Sequence, residues 1–256
     1  METADFAPRD RLDGEVVVIT GATGAIGSAA ARRAARLGAR VVLLHRKQAR
    51  DADPVLSTLD GKGHLSLTAS VTDSAALARA AEIVARETGR ATALVNCAGF
   101  TQPVPAGDLD GLTDALIDEI FETNWRGTFA AIRAFVPQMR ASGDAVIVNV
   151  SSIAAMTGLG SNLAYAAAKA GIDALTKGLA KTLAPQIRVL GVAPGVVETG
   201  FVPGRGASFY EGVAPTIPLK KVGTADGVAA AIIACCTSLR YATGSVIVAD
   251  GGRHLG

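Results

Sequence analysis

The 256-residue sequence has only three cysteines, three histidines and one tryptophan, and just 19% of it is charged. Cys235 and Cys236 are adjacent, a placement that rarely closes a good disulfide, and no C-x-x-C spacing gives Cys97 a partner. A disulfide scaffold and a zinc ribbon are excluded, and the thiols read as reduced core residues. His45, His64 and His254 stand far apart with no metal-ligand spacing, so no metal site is expected. Basic residues outnumber acidic ones by only two and are scattered, which leaves no electrostatic footprint for nucleic acid or an anionic membrane. Nor does any apolar run reach the roughly 18–20 residues of a membrane span. The opening "METADFAPRDRLDG" carries acids where a secretory signal has a basic start and an apolar centre, and the expected location is the cytoplasm.

Aliphatic residues and glycine are plentiful instead: 49% hydrophobic content and 29 glycines describe a large core and many tight turns. Short apolar runs such as "EVVVIT", "RVVLLH", "LSLTAS", "ATALVNCAG", "AVIVNVSS", "IRVLGVAPG" and "GSVIVADGG" alternate with alanine-rich segments of helical period. One helical stretch runs from about Leu112 to Arg140. Near-continuous apolar strands separated by helices predict a mostly parallel sheet covered on both faces, a doubly wound α/β fold of three layers (a Rossmann fold). No linker, composition shift or repeat divides the chain, so residues 1–256 are expected to form a single domain. The least regular stretch is 198–223, "ETGFVPGRGASFYEGVAPTIPLKKVG". It follows a strand expected to end near Val192 and is the candidate substrate lid, given apolar character by Phe201, Val202, Phe209, Tyr210 and Val213.

"TGATGAIG", residues 20–27, follows the first strand and opens the first helix. Glycine at 21, 24 and 27 lets the backbone turn sharply and approach a ligand closely, while a helix start offers free N–H groups to a pyrophosphate. An ordinary βα turn also favours glycine, and the position after strand one is what points to phosphate. The second strand ends in "LLHRKQAR", with His45 where an acid bonding the 2′-hydroxyl of NAD would stand. A carboxylate there would repel a 2′-phosphate, whereas Arg46 and the adjacent Lys47 attract one, so NADP is favoured and NAD is the alternative. Further along, "YAAAK" places Tyr165 and Lys169 one helical turn apart on one face.

Together with "NCAG" at 96–99, "TNWRGTF", "VNVSS", "PGVVET" at 194–199 and "VADGG" at 248–252, these residues resemble the classical short-chain dehydrogenase/reductase family. The likeness runs from about Leu12 to Gly252 and is closest in text to 3-oxoacyl-carrier-protein reductases. It implies an NAD(P)-dependent enzyme that exchanges a hydride between the nicotinamide and a ketone or secondary alcohol. It also implies a catalytic set of Asn124, Ser152, Tyr165 and Lys169. In that set Tyr165 is the acid, and the Lys169 ammonium is expected to draw its phenol down from a pKa of about 10. Ser152, rather than its neighbour Ser151, would hold the carbonyl oxygen. Asn124 would hold a water for proton return, and closing a helix kink is compatible with that role. Cofactor contacts implied by the resemblance begin with Gly21, Thr23, Gly24, Ala25, Ile26 and Gly27 at the pyrophosphate. His45, Arg46 and Lys47, then Asn96, Ala98 and Gly99, would meet the adenosine ribose, with Ser70 and Val71 near the adenine. Pro194, Gly195, Val197 and Thr199 would surround the nicotinamide, whose ribose Lys169 binds beside Tyr165.

There are departures from the family's pattern. Ser70 replaces a frequent acid, Leu190 replaces an asparagine, and Gly143 and Gln186 stand where carrier-protein reductases have basic docking residues, with Arg140 and Lys181 as substitutes. The substrate expected is therefore a free small ketone or alcohol, or an acyl thioester. Competing readings are a catalytically silent dinucleotide-binding regulator and an NAD-linked secondary-alcohol dehydrogenase. Apolar residues over more than one face of the 112–140 stretch and of the tyrosine helix, with the family's habit, predict a homotetramer.

Overall fold

Each predicted apolar run becomes a strand because its β-branched residues can be buried on both sides of a sheet. In the computed structural model, which describes residue 7, residues 9–46 and residues 53–256, the strands are β1 (Val16–Thr20), β2 (Arg40–His45) and β3 (Leu65–Thr68). They continue with β4 (Ala93–Asn96), β5 (Ala145–Val150), β6 (Ile187–Pro194) and β7 (Val246–Ala249). All pair in parallel, in the order β3-β2-β1-β4-β5-β6-β7. Successive side chains point to opposite faces, and the core divides accordingly. Val17 and Ile19 face one layer with Ala30, Val228 and Ile232, while Val16 and Val18 face the other with Leu77, Phe135 and Ile187. Leu190, in place of the family's asparagine, is fully buried in the first of these layers.

Helices α1 (Ala25–Arg36) and α9 (Ala225–Cys236) cover one face; α3 (Ser74–Thr88), α5 (Gly127–Ser142) and α7 (Leu163–Leu183) cover the other. Shorter helices α2 (Asp53–Leu56), α4 (Asp114–Phe121), α6 (Ala154–Thr157) and α8 (Ala207–Val213) fill the connections. Local chemistry sets the ends. Asp73 accepts from the Ala76 N–H to start α3, and Gly89 closes that helix with a φ of 77° that a side chain would resist. The expected single helix over 112–140 is interrupted: between α4 and α5 lies a π turn, Glu122–Arg126, with Asn124 at its centre.

Successive connections run one way from β1 through β2 to β3 and the other way from β4 onward. The sheet therefore has its switch point between β1 and β4, where Thr20 lies beside Asn96. The loops leaving those two strand ends must diverge, and they leave a crevice over the carboxyl edge of the sheet.

Candidate active site

That crevice opens into a cavity of about 850 Å³ reaching from the glycine turn after β1 to the start of α7 and the segment after β6. Gly21, Gly24, Ala25, Ile26 and Gly27 form one end. A Cβ on Gly21 would stand 2.8 Å from the Ala98 backbone, and one on Gly27 would stand 2.5 Å from the Gly21 carbonyl oxygen. The turn is thus closed by backbone against backbone, which only glycine permits. Gly24 is the N-cap of α1 and supplies no side-chain cap, so the first N–H groups of the helix are left for another acceptor. Thr20 Oγ1 accepts from the Ala98 N–H at 3.2 Å and fixes the second loop against the first. A glycine-lined cradle at an uncapped helix start fits the pyrophosphate of a dinucleotide.

At the other end of the cavity stand Ser152, Tyr165 and Lys169. Asn162 caps α7 by accepting from the Tyr165 N–H at 2.7 Å, which fixes the tyrosine in the first turn of the helix. The Ser152 hydroxyl accepts from the Ala154 N–H at 3.2 Å and lies close enough to the half-buried Tyr165 phenol to favour its ionised form. Ser151 is turned inward, its hydroxyl donating to the Lys169 carbonyl at 3.4 Å, so of the two serines Ser152 faces the tyrosine. Lys169 is nearly buried, and its Nζ donates to the Val150 carbonyl at 2.8 Å while lying 5.6 Å from the Tyr165 ring centre.

The electrostatics differ from the sequence-based expectation in one respect. Burial pushes the Tyr165 phenol up to about 12, and the groups that pull it back are Ser152 and Arg205, not Lys169. Burial likewise draws the Lys169 ammonium down to about 8, opposed by Cys97 and Asp173. The physical reason is direction: the ammonium is bonded to a carbonyl at the end of β5 and lies beside the ring.

Asn124 is fully buried. Its Nδ2 donates to the carbonyls of Ile120 and Phe100, each at 2.8 Å, which stabilises the π turn and ties it to the loop after β4. Of the proposed cofactor contacts, Gly99, Pro194, Gly195, Val197 and Thr199 line the cavity with the glycine turn, Tyr165 and Lys169. Thr23 and Ala98 lie in the same loops but outside the cavity wall. Asn96 turns inward, its Nδ2 donating to Asn149 Oδ1 at 2.9 Å, and it does not line the cavity. His45 is buried with Nε2 2.9 Å from Ser66 Oγ; its ring is held against β3 and does not line the cavity. Arg46 is exposed at the end of β2, while Lys47 lies outside the described residues. Ser70 spends its hydroxyl on Thr72, and Val71 packs against Gly127, so neither side chain enters the cavity. Cys235 and Cys236 are core residues as expected, but Cys97 is not: it follows the last residue of β4 and half-emerges in the cavity wall.

Among the lining residues that sequence reasoning missed are two cations, Arg205 and Arg253. They come from the candidate lid and from the segment after β7, and no local motif marks either. Neighbouring lid residues behave as their apolar character predicts. Phe201 lies 6.0 Å from Tyr165 between ring centres, and Tyr210 donates through its hydroxyl to the Thr199 carbonyl at 2.8 Å.

A family model described as "Enoyl-(Acyl carrier protein) reductase" matches residues 21–254. The chain is 34% identical, over 94% of its length and 98% of the relative's, to a 3-oxoacyl-(acyl-carrier-protein) reductase of Thermotoga maritima. It is 33% identical to dehydrogenase/reductase SDR family member 4 of Bos taurus, over 98% of its length and 91% of that protein. Among solved structures it is similar to a levodione reductase, with a TM-score of 0.89 at 27% identity, covering 96% of this chain and 100% of that one.

Proposed function

This chain belongs to the short-chain dehydrogenase/reductase family, and from that premise we propose an NADP(H)-linked ketoreductase whose reacting set is Ser152, Tyr165 and Lys169. The family's chemistry, hydride exchange between NAD(P) and a carbonyl or secondary alcohol, is this chain's chemistry. One observation carries the assignment of residues: the Ser152 hydroxyl, the Tyr165 phenol and the Lys169 ammonium share one wall of the cavity whose far end is the glycine turn. NADPH, when bound, supplies the hydride. Tyr165 holds the proton for the carbonyl oxygen at its phenol, and an acid raised to about 12 is fully protonated at neutral pH. Ser152 donates to the same oxygen and stabilises the negative charge that develops there. Lys169, in the same stretch of wall and 5.6 Å from the Tyr165 ring centre, would bind the nicotinamide ribose through its ammonium. Asn124 acts at one remove, by holding the backbone of the loop that carries Gly99. Residues 198–223 serve as the lid, since Phe201, Phe209 and Tyr210 stand over the tyrosine end of the cavity.

The test is purified protein with NADPH and a panel of activated ketones and 3-oxoacyl thioesters, followed by nicotinamide absorbance. No consumption across the panel would refute the reductase and favour a silent dinucleotide-binding protein. Carrier docking is not favoured by this chain's own surface. Gly143, Gln186, Arg140 and Lys181 cluster near the amino ends of β5 and β6, opposite the carboxyl edge where the cavity lies.

Arg46 supports the choice of NADP, because it leaves the strand next to the switch point exposed and carries no acid beside it in sequence. Arg46→Asp is expected to shift preference from NADPH towards NADH by about 1–3 kcal/mol, the range of one charged hydrogen bond. Dissociation constants for both cofactors check this, and an unchanged or larger preference for NADPH would place the 2′-phosphate elsewhere.

Assembly as a homotetramer of two-fold symmetry, in the cytoplasm, completes the proposal. Phe121, Trp125 and Leu163, 38%, 36% and 40% exposed, form an apolar outer face on α4, the π turn and α7. Trp125 seats against Gly171 of α7, so the two helices present this face as a unit. Among the described residues no helix is long and apolar enough to cross a membrane. Ala167 is exposed on α7, and Ala167→Glu is expected to dissociate the assembly and lower activity, since the same helix carries Tyr165. A wild-type mass by light scattering equal to one chain would rule this out.

A further inference from the structure

Among the described residues lining the cavity there is no Asp or Glu side chain, yet three cationic side chains face it: Lys169, Arg205 and Arg253. Lys169 is accounted for by the chemistry above. The two arginines are not. Arg205 is half-buried, with its guanidinium carbon 4.6 Å from the centre of the Phe209 ring. Phe209 meets Tyr210 edge-on at 5.5 Å, and Tyr210 is anchored to Thr199. Arg253 donates through Nη1 to Thr216 Oγ1 at 2.9 Å, just beyond α8. The pair therefore brackets α8, one arginine stacked at its start and the other pinned past its end.

Each guanidinium keeps planar N–H donors that its single described contact does not use. Two cations on one half-enclosed wall with no Asp or Glu side chain among the described lining residues favour an anion between them, and the terminal carboxylate of Gly256, which lines the same cavity, makes no described ion pair with either. Burial and the charge of Arg253 both disfavour the cationic form of Arg205, while the Tyr165 phenol lies near enough to Arg205 to interact with its charge. That last interaction puts Arg205 on the tyrosine side of the cavity, where the carbonyl is reduced, and Arg253 reaches the same cavity from beyond α8.

We propose that Arg205 and Arg253 together receive a carboxylate carried by the carbonyl substrate, so that keto acids are the preferred substrate class. This rests on the reductase reading and narrows it. The carboxylate would be gripped by a rigid, stacked guanidinium, and the ketone of the same molecule would then lie towards Ser152 and Tyr165. Binding energy from a remote charged group would fix the orientation of the reacting carbon.

The experiment uses keto acids with one to three methylene groups between ketone and carboxylate, each paired with its methyl ester. Wild type is expected to favour the acid over its ester in kcat/KM for at least one spacing. In Arg205→Met and Arg253→Met that acid-to-ester ratio is expected to fall at least about tenfold, the worth of one charge-assisted hydrogen bond, with Arg205→Lys retaining part of it. An unchanged ratio overturns the proposal. So does a weaker NADPH dissociation constant at an unchanged ratio, which would assign the arginines to the cofactor's phosphates. If NADPH binds but neither acids nor esters are reduced, the reductase reading fails, and calorimetry on the NADPH complex still decides the site. Cyclohexanecarboxylate binding that exceeds that of cyclohexanecarboxamide and is lost in Arg205→Met supports it, and equal binding of the two overturns it.

Discussion

Tyr165→Phe is expected to lower turnover by at least about 10²–10³-fold while leaving the NADPH dissociation constant within a few-fold of wild type. The substitution deletes the phenolic hydroxyl alone. The ring stays against Phe201, and the N–H that Asn162 caps is untouched. Binding at the glycine turn, at the far end of the cavity, has no contact with the missing atom. Single-turnover rates with the best ketone of the panel check this, and turnover within a few-fold of wild type would remove Tyr165 as the acid.

Lys169→Met separates activity from stability. Turnover is expected to fall by at least about 10²-fold with weaker NADPH binding, since the ammonium proposed to hold the nicotinamide ribose beside Tyr165 is lost. Stability should move the other way at neutral pH. The folded protein binds the lysine proton less tightly than the unfolded chain, about 8 against 10.5. Between those values the unfolded state holds more protons, so wild-type stability rises with pH there. Below about 8 the cost of burying the charge is fully present. Methionine carries no such cost, although it leaves the Val150 carbonyl without its donor. The net gain expected at pH 7 is about 1–2 kcal/mol, and it reverses by pH 10.5, where the charge cost has gone and the lost hydrogen bond remains. Urea unfolding at the two pH values is the check; a variant less stable than wild type at pH 7 would show that the lost hydrogen bond outweighs the charge.

What was legible in the sequence, and what was not, follows from the range of the forces involved. The glycine turn could be read because its constraint is local: backbone must approach backbone within a few residues, and only glycine allows it. Tyr165 and Lys169 could be paired because four residues make one helical turn. The seven strands were legible because a parallel sheet buries both faces, which leaves uninterrupted apolar runs. Side-chain direction at a strand end was not legible. His45 and Asn96 each end a strand at the crevice, and each turns inward to a partner on a neighbouring strand, Ser66 and Asn149. Nor could the aim of Lys169 be read, because the carbonyl it chooses belongs to β5. Arg205 and Arg253 share no motif, and only the closure of the lid over the end of β7 brings them to one wall.

The π turn has a consequence that is easiest to express as a phase. A regular helix advances about 100° per residue, so Phe121 and Phe135, fourteen positions apart, would stand about 40° from each other and share one side. One extra residue in the turn sets the second segment back by about 100°, which moves them to about 140° apart. Phe135 then lies wholly inside against the sheet, and Phe121 is left facing out. The rotation that gives Asn124 its two carbonyls is thus also the rotation that aims aromatic side chains away from the core. Loop anchoring beside the cavity and the outward apolar face are two readings of a single angle.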